Sequence, residues 1–264
     1  MLRACLALAV LFTGAASGQA PSYSASGIVN ASDYAPGPFA PNSALSLFGF
    51  NLSLQSPQVV TSAQMMGSFY PTQVAGVSVY MDNMLVPLLY VSASQINFLV
   101  PTTEIPGPAQ VTVVRQGKYG PTVTIDLVAA APQIFTYDSG YSGYAIAQDW
   151  NSGYRVITPD TPAHPGDIVI LYATGLGAVT PATSSGELAP YASPITQASW
   201  ATLTVTVNGT PLDPSAILYA GLTPGMAGLY QINVILPPNP GIDPVVQVSI
   251  GGQLSSAACL LAVR

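Results

Sequence analysis

Short runs in which apolar and polar residues alternate occur twice along the chain, in the same order. QINFLVP at 95–101 is matched by QINVILP at 231–237, and GVSVYM at 76–81 is matched by LTVTV at 203–207. Alternation places every second side chain on one face of an extended chain, which is typical of a strand with one buried face. We predict the same strands in both halves, with the QIN amides on the outer face, where they pair with neighbouring loops.

Turn signals separate these strands at equivalent places in the two halves. Asp82-Asn83 and Asn208-Gly209 each follow an alternating run, and Asn-Gly readily adopts the positive φ angles of a type I′ hairpin turn. No stretch shows a sustained helical period, and the 25 prolines recur too often for a long helix. The pattern predicts an all-β protein of two tandem immunoglobulin-like β-sandwiches related by internal duplication.

The repeat also predicts the domain organisation. We expect a signal peptide at 1–18, the first sandwich at 25–132, a linker at 133–139 and the second sandwich at 140–264. The second sandwich should begin with a hairpin whose turn lies at Asp149 to Gly153.

The N-terminus has the build of a secretory signal peptide. Arg3 precedes an apolar stretch from Ala4 to Phe12, and small residues follow, which favours cleavage near Ser17 to Ala20. A membrane anchor would need about 20 apolar residues. We therefore expect a protein that is secreted or held at the cell surface, extracellular or periplasmic, without a membrane span in the mature chain.

The composition narrows the classes of partner. Only 6 % of the residues are charged and the net charge is −6, whereas 49 % are apolar, which argues against disorder. The cations beyond Arg3 are scattered and form no basic patch, which disfavours binding to nucleic acid or to an anionic membrane. With Cys5 inside the signal peptide, the mature chain keeps Cys259 alone, which we expect to be a buried thiol.

Several longer motifs resemble one family. NASDYAPGPFAPNSALSLFGFNL, LLYVSASQINFLVP, PGDIVILYATGLGAVTP, AGLTPGMAGLYQINVILP and the closing LAVR resemble the Solibacter-type C-terminal domain family of secreted bacterial β-domains. The resemblance runs from Ile28 to Arg264, and the first half also resembles the IPT/TIG form of the immunoglobulin fold. It implies the fold and export, and it carries over no catalytic residues.

Candidate catalytic and metal chemistry is sparse. His164 is the sole histidine and lies between two prolines, where we expect an exposed turn residue. Asp149-Trp150-Asn151-Ser152-Gly153, with Asp160 at the twelfth position, begins like a calcium loop, but its glycine comes one place early. A hairpin turn explains the same residues better. We predict no catalytic residue, no cofactor and no metal site, and whether calcium binds near Asp149 stays open.

Aromatic residues crowd the segment between the halves: Tyr141, Tyr144, Trp150 and Tyr154. Such rings can form a ligand platform, or they can fill the interface between two sandwiches, and we favour the interface. Long loops at 53–75 and 178–200 are natural places for recognition.

The functional hypothesis is an exported, non-enzymatic β-sandwich protein that acts in adhesion, scaffolding or assembly and contacts a protein or polysaccharide surface. A carbohydrate-binding module is the first alternative and requires exposed, coplanar rings around Trp150 and Tyr154. A secreted hydrolase is the second and requires a cleft with paired acids, or with His164 and a nucleophile.

Overall fold

A computed structural model describes residues 18–137 and 142–264. The predicted signal peptide lies outside these residues apart from Gly18. Within the described ranges, no helix combines the length and the apolar character that crossing a membrane requires.

The first half of the chain folds into two antiparallel sheets that share one core. One sheet has the order β1-β2-β7-β6-β3 and the other has the order β10-β8-β4-β5, with β9 on β8. Buried residues from both sheets form a single apolar cluster, so the half is a β-sandwich. Its strands are β1 (Ile28–Asn30), β2 (Ala44–Phe48), β3 (Gln58–Val59), β4 (Val77–Met81), β5 (Met84–Leu85), β6 (Leu88–Val91), β7 (Gln95–Leu99), β8 (Gly107–Arg115), β9 (Lys118–Tyr119) and β10 (Val123–Leu127).

The second half repeats this architecture. A sheet of order β13-β12-β14-β19-β18-β15, with β11 on β14, packs on a sheet of order β17-β16-β20-β21 around a second cluster. Its strands are β11 (Gln133–Ile134), β12 (Ala147–Asp149), β13 (Arg155–Ile157), β14 (Ile168–Thr174), β15 (Ser193–Pro194), β16 (Thr204–Val207), β17 (Thr210–Pro211), β18 (Ile217–Leu222), β19 (Tyr230–Ile235), β20 (Val246–Ile250) and β21 (Gln253–Leu254).

The described helices are short. Besides α1 (Gln197–Trp200), there are 3₁₀ turns at Ala25–Gly27, Ser62–Gln64 and Pro214–Ala216.

The duplication is visible in the strand pairing. The order β1-β2-β7-β6-β3 corresponds to β12-β14-β19-β18-β15, and β9-β8-β4-β5 corresponds to β21-β20-β16-β17. Even an irregularity is repeated, because the pairing shifts between Leu88 and Tyr90 in one half and between Ile217 and Tyr219 in the other. The predicted all-β fold of two related sandwiches is confirmed.

Both predicted hairpin turns have the expected backbone. Asp82 and Asn83 have φ of 44° and 67°, and Asn208 and Gly209 have φ of 48° and 74°. Two successive positive φ angles define the type I′ turn, whose twist matches that of the flanking strands.

The QIN strands bury the face that was predicted, but their amides behave differently. Ile96 and Phe98 are buried, as are Ile232 and Val234. The amides do not pair with loops. Gln95 Nε2 donates to Asn97 Oδ1 at 2.8 Å, and Gln231 Nε2 donates to Asn233 Oδ1 at 3.1 Å. Residues two apart in a strand share a face, so the Gln-x-Asn spacing lets the two amides bond each other. In the first sandwich, Asn97 Oδ1 also accepts Ser46 Oγ of the neighbouring strand at 3.0 Å.

The segment predicted as a linker at 133–139 begins with a strand. Gln133–Ile134 pair with Thr174 and Ala173, so this part of the segment belongs to the second sandwich. The predicted domain boundaries themselves remain a prediction.

Candidate functional site

Trp150 and Tyr154 lie together in the turn between β12 and β13. The predicted hairpin is present, but Asp149 is the last residue of β12 and pairs with Arg155, so the turn begins at Trp150. The Trp150 side chain is 48 % exposed and that of Tyr154 is 50 % exposed. Their ring centroids are 5.0 Å apart at an interplanar angle of 62°, an edge-to-face contact. The pair is an exposed aromatic knob, and its rings are not coplanar.

This hairpin turn is remote from the first sandwich. Trp150 N donates to Ile168 O at the start of β14, whereas Thr174 at the end of β14 bonds Ala44 of the first sandwich. Six residue steps along a strand span about 20 Å. The favoured interpretation, that these rings fill the interface between the sandwiches, is therefore wrong for Trp150 and Tyr154.

The side chain of Asp149 stabilises the hairpin turn. Its carboxylate is buried, accepts Ser152 N at 3.3 Å and pairs with Arg155 Nη2 at 3.3 Å. Burial raises the pKa of Asp149, but the hydrogen bonds from Ser152 and Arg155 outweigh it and the net shift is downward. The acceptor oxygens are thus engaged by protein donors, as a structural turn requires.

The other two aromatic candidates have different surroundings. Tyr144 is half-buried and packs against the second core, and burial and the nearby Asp243 raise its pKa. Tyr141 lies outside the described residues. The four candidates therefore do not form one described platform.

His164 is exposed, as predicted for a turn residue. Its backbone N–H donates to Asp167 Oδ2 at 2.8 Å, and its Nδ1 lies 3.5 Å from the same oxygen. In the described residues, no group of three or more histidine, cysteine, aspartate or glutamate side chains is placed to hold a metal ion.

A buried junction joins the two sandwiches. Tyr230 is fully buried, donates its hydroxyl to Gly177 O at 2.6 Å and accepts Asn42 Nδ2 at 3.2 Å. Burial raises the pKa of Tyr230, so this hydroxyl keeps its proton. Since Asn42 belongs to the first sandwich and Tyr230 to the second, one phenol ties both.

Close backbone approach completes the junction. Thr174 Oγ1 accepts Ala44 N at 3.0 Å and donates to Gly228 O at 3.2 Å. Gly228 has φ of 69°, and a methyl group there would lie 2.3 Å from Leu99 Cδ2. Glycine is required at this point for both the backbone angle and the contact.

The long loops predicted as recognition sites take part in the same junction. Tyr70 N donates to Gly186 O at 2.9 Å, and Leu188 N donates to Ser68 O at 2.8 Å. Parts of the loops at 53–75 and 178–200 therefore bond each other across the two sandwiches. Sequence alone gives no sign of this pairing, because about 120 residues separate the partners.

A cleft on the first sandwich was missed in the sequence. Its volume is about 330 Å³, and it lies on the outer face of the β10-β8-β4-β5 sheet. The sequence pattern could have indicated part of this cleft, because alternation assigns Tyr80, Gln110 and Thr112 to outward positions of their strands. The cleft is lined by Tyr80, Asn83, Gln110, Thr112, Tyr119 and Thr122.

No family model and no curated protein matches the chain. Among solved structures, it is similar to SGBP-B from a complex xyloglucan utilization locus in Bacteroides uniformis, at 11 % identity and TM-score 0.26, over 90 % of this chain and 48 % of that one. It is also similar to the surface glycan-binding protein PbSGBP-B from Prevotella bryantii, at 14 % identity and TM-score 0.27, over 84 % and 37 %. Domains 5-6 of the S-layer protein SbsC match at 12 % identity and TM-score 0.25, over 85 % and 91 %.

The chain spans less than half the length of the first two structures. These similarities are too low to assign a function.

Proposed function

We propose that this is an exported, non-enzymatic member of the Solibacter-type C-terminal domain family. It acts by surface contact in adhesion, scaffolding or assembly, at the cell surface or outside the cell. The observation that carries the proposal is the buried junction built from Asn42, Tyr230 and Gly177.

The junction fixes the two sandwiches relative to each other. Moving one sandwich against the other would orphan the buried Asn42 amide, which donates to Tyr230, and the buried Ala44 N–H, which donates to Thr174. An unsatisfied buried polar group costs about 1–3 kcal/mol. Domains in one chain move freely unless such an interface opposes it. A stiff pair of sandwiches holds its outer faces at a constant spacing, which suits a scaffold or an adhesive spacer.

The acidic residues support the non-enzymatic part of the proposal. Asp149 closes a hairpin turn, Asp213 accepts Ser215 N in a 3₁₀ turn, and Asp243 pairs with Arg264. Each of these three carboxylates bonds its own local structure and does not face another acid across a cleft, as glycoside hydrolysis requires.

The exposed aromatic knob suits contact with a protein. The rings of Trp150 and Tyr154 pack edge-to-face on each other, so together they form a compact protrusion and not a flat surface. Tyrosine and tryptophan are enriched among the residues that dominate protein interfaces.

The test uses microspheres coated with residues 19–264, incubated with the envelopes of the cells that produce the protein. We expect retention well above that of albumin-coated microspheres, and loss of retention after the protein is heat-unfolded. Retention at the albumin level by a folded sample would overturn the proposal, as would recovery of the unprocessed chain in the cytosol.

A further inference from the structure

We propose that the cleft on the first sandwich binds a neutral glycan chain, with Tyr80 and Tyr119 as its two aromatic contacts. The inference rests on the proposed function and names the surface chemistry that one face of the protein recognises. It concerns a different sandwich from the aromatic knob at Trp150 and Tyr154.

Strand pairing brings the lining residues onto one face. Tyr80 of β4 pairs directly with Thr112 of β8, and Tyr119 of β9 pairs with Val114 on the other side of β8. Thr112 and Val114 are two residues apart, so their neighbours share a face. The two tyrosines therefore flank β8 on the outer surface, two strand spacings apart and offset by two residues along the strand, which places their Cα atoms about 12 Å apart.

Four of the six polar side chains in the cleft are free to bind a ligand, and the other two, Thr112 and Thr122, share one hydrogen bond of 2.8 Å between their hydroxyls. The side chains of Tyr80, Asn83, Gln110 and Tyr119 make no hydrogen bond to another described residue. The QIN amides differ, because each asparagine side-chain oxygen there already accepts a hydrogen bond from the amide of the glutamine two residues before it. A ligand that contacts these four side chains would replace water without breaking a hydrogen bond between described residues.

The lining selects the class of ligand. It consists of two phenols, two carboxamides and two threonine hydroxyls, with no charged side chain. Amides and hydroxyls both donate and accept hydrogen bonds, which suits a chain of hydroxyl groups, and tyrosine rings offer apolar faces to the C–H side of a sugar ring. An anionic ligand would find no cation in the lining. The volume of about 330 Å³ lies at the small end of ligand sites, which fits a short stretch of a longer chain.

The duplication supplies an internal comparison. VTVVRQGKY at 111–119 aligns with VQVSIGGQL at 246–254, so Leu254 takes the place of Tyr119. Thr206 takes the place of Tyr80, because Thr206 pairs with Gln247 as Tyr80 pairs with Thr112. Gln247 donates to Ser255 O at 2.8 Å. The same framework thus carries both rings in the first sandwich and neither in the second, so the fold does not require them.

The experiment is native affinity electrophoresis of residues 19–264 in gels containing soluble starch, hydroxyethylcellulose or dextran, with polygalacturonate as the charged probe. Residues 19–264 keep all 11 acidic residues and lose Arg3 of the 5 cations, so a net charge of −7 (4 − 11) carries the protein through the gel. We expect retardation by at least one neutral polysaccharide and none by polygalacturonate. Both tryptophans lie in the second sandwich, so fluorescence would be a poor reporter of this cleft.

Variants decide whether the cleft is responsible. Tyr80→Ala and Tyr119→Ala should each weaken the affinity at least tenfold, and Tyr119→Phe should keep most of it because the ring remains. Leu254→Ala, at the matching place in the second sandwich, should leave retardation unchanged.

Three results would overturn the inference: no retardation of folded protein by any neutral probe, equal retardation by polygalacturonate, or full retardation of the Tyr80→Ala/Tyr119→Ala double variant. Retention of coated microspheres on envelopes would still report surface contact in each case, so failure of the cleft and failure of the proposed function are distinguishable.

Discussion

Removing the Tyr230 hydroxyl tests the junction directly. In Tyr230→Phe the ring stays in place, but Gly177 O loses its donor and Asn42 Nδ2 loses its acceptor in a fully buried site. A buried hydrogen bond contributes about 1 kcal/mol, and the orphaned partners add about 1 kcal/mol or more. We expect the free energy of unfolding to fall by about 2 kcal/mol, which lowers Tm by about 4–8 °C in a chain of this length.

The location of the tryptophans makes the assay specific. Trp150 and Trp200 both lie in the second sandwich, so their fluorescence follows that half during urea unfolding, whereas far-UV circular dichroism follows both halves. In the wild type, the two transitions should coincide because the junction couples the sandwiches. In Tyr230→Phe both should move to lower urea and separate. Tyr154→Phe is the control, since its ring is exposed. A loss below about 0.5 kcal/mol in Tyr230→Phe, no greater than in the control, would refute the reasoning.

Three further outcomes follow from buried contacts. Gly228→Ala should cost about 2–4 kcal/mol by urea unfolding, from its positive φ and its clash, whereas Gly225→Ala, with φ of 78° and open space, should cost about 1 kcal/mol; equal losses would contradict this. The pKa of Asp149 is lower in the folded protein than in the unfolded chain, so on acidification the unfolded chain is protonated at Asp149 first. The free energy of unfolding should therefore fall as the pH drops from the unfolded pKa of about 3.8 through the lower pKa of the folded protein. Asp149→Asn should flatten that fall, and an unchanged slope would refute it. Burial, then the charge of Asp33, raises the pKa of Cys259 to about 12, so Ellman's reagent should label it only after denaturation, and rapid labelling of folded protein would contradict the burial.

Local patterns predicted the repeated units well. Alternation identified the buried faces of both QIN strands, and Asp82-Asn83 and Asn208-Gly209 identified their turns, because each depends on residues adjacent in sequence. The exposed turn at His164 followed from its prolines in the same way. The amide partners were misjudged, since a bond between residues two apart competes with any loop and wins by proximity.

The candidate site was harder to predict from sequence. Trp150 and Tyr154 are close in sequence to the connection between the halves, yet the β12–β13 hairpin carries them to the far end of the second sandwich. The cleft combines residues from β4, β8 and β9 and the turn after β4, and only strand pairing places Tyr80 beside Tyr119.

The sequence by itself determined which segments become strands, which faces they bury and that the set occurs twice, because these properties reside in side-chain period and turn chemistry. Tertiary structure decided how the two sandwiches meet, since Asn42 and Tyr230 lie 188 residues apart and nothing local records their contact. It also decided the role of Arg115, which is buried and donates to the carbonyls of Asn51 and Gln19 rather than lying on the surface. Such contacts depend on how completed sheets pack, and that information is spread over the whole chain.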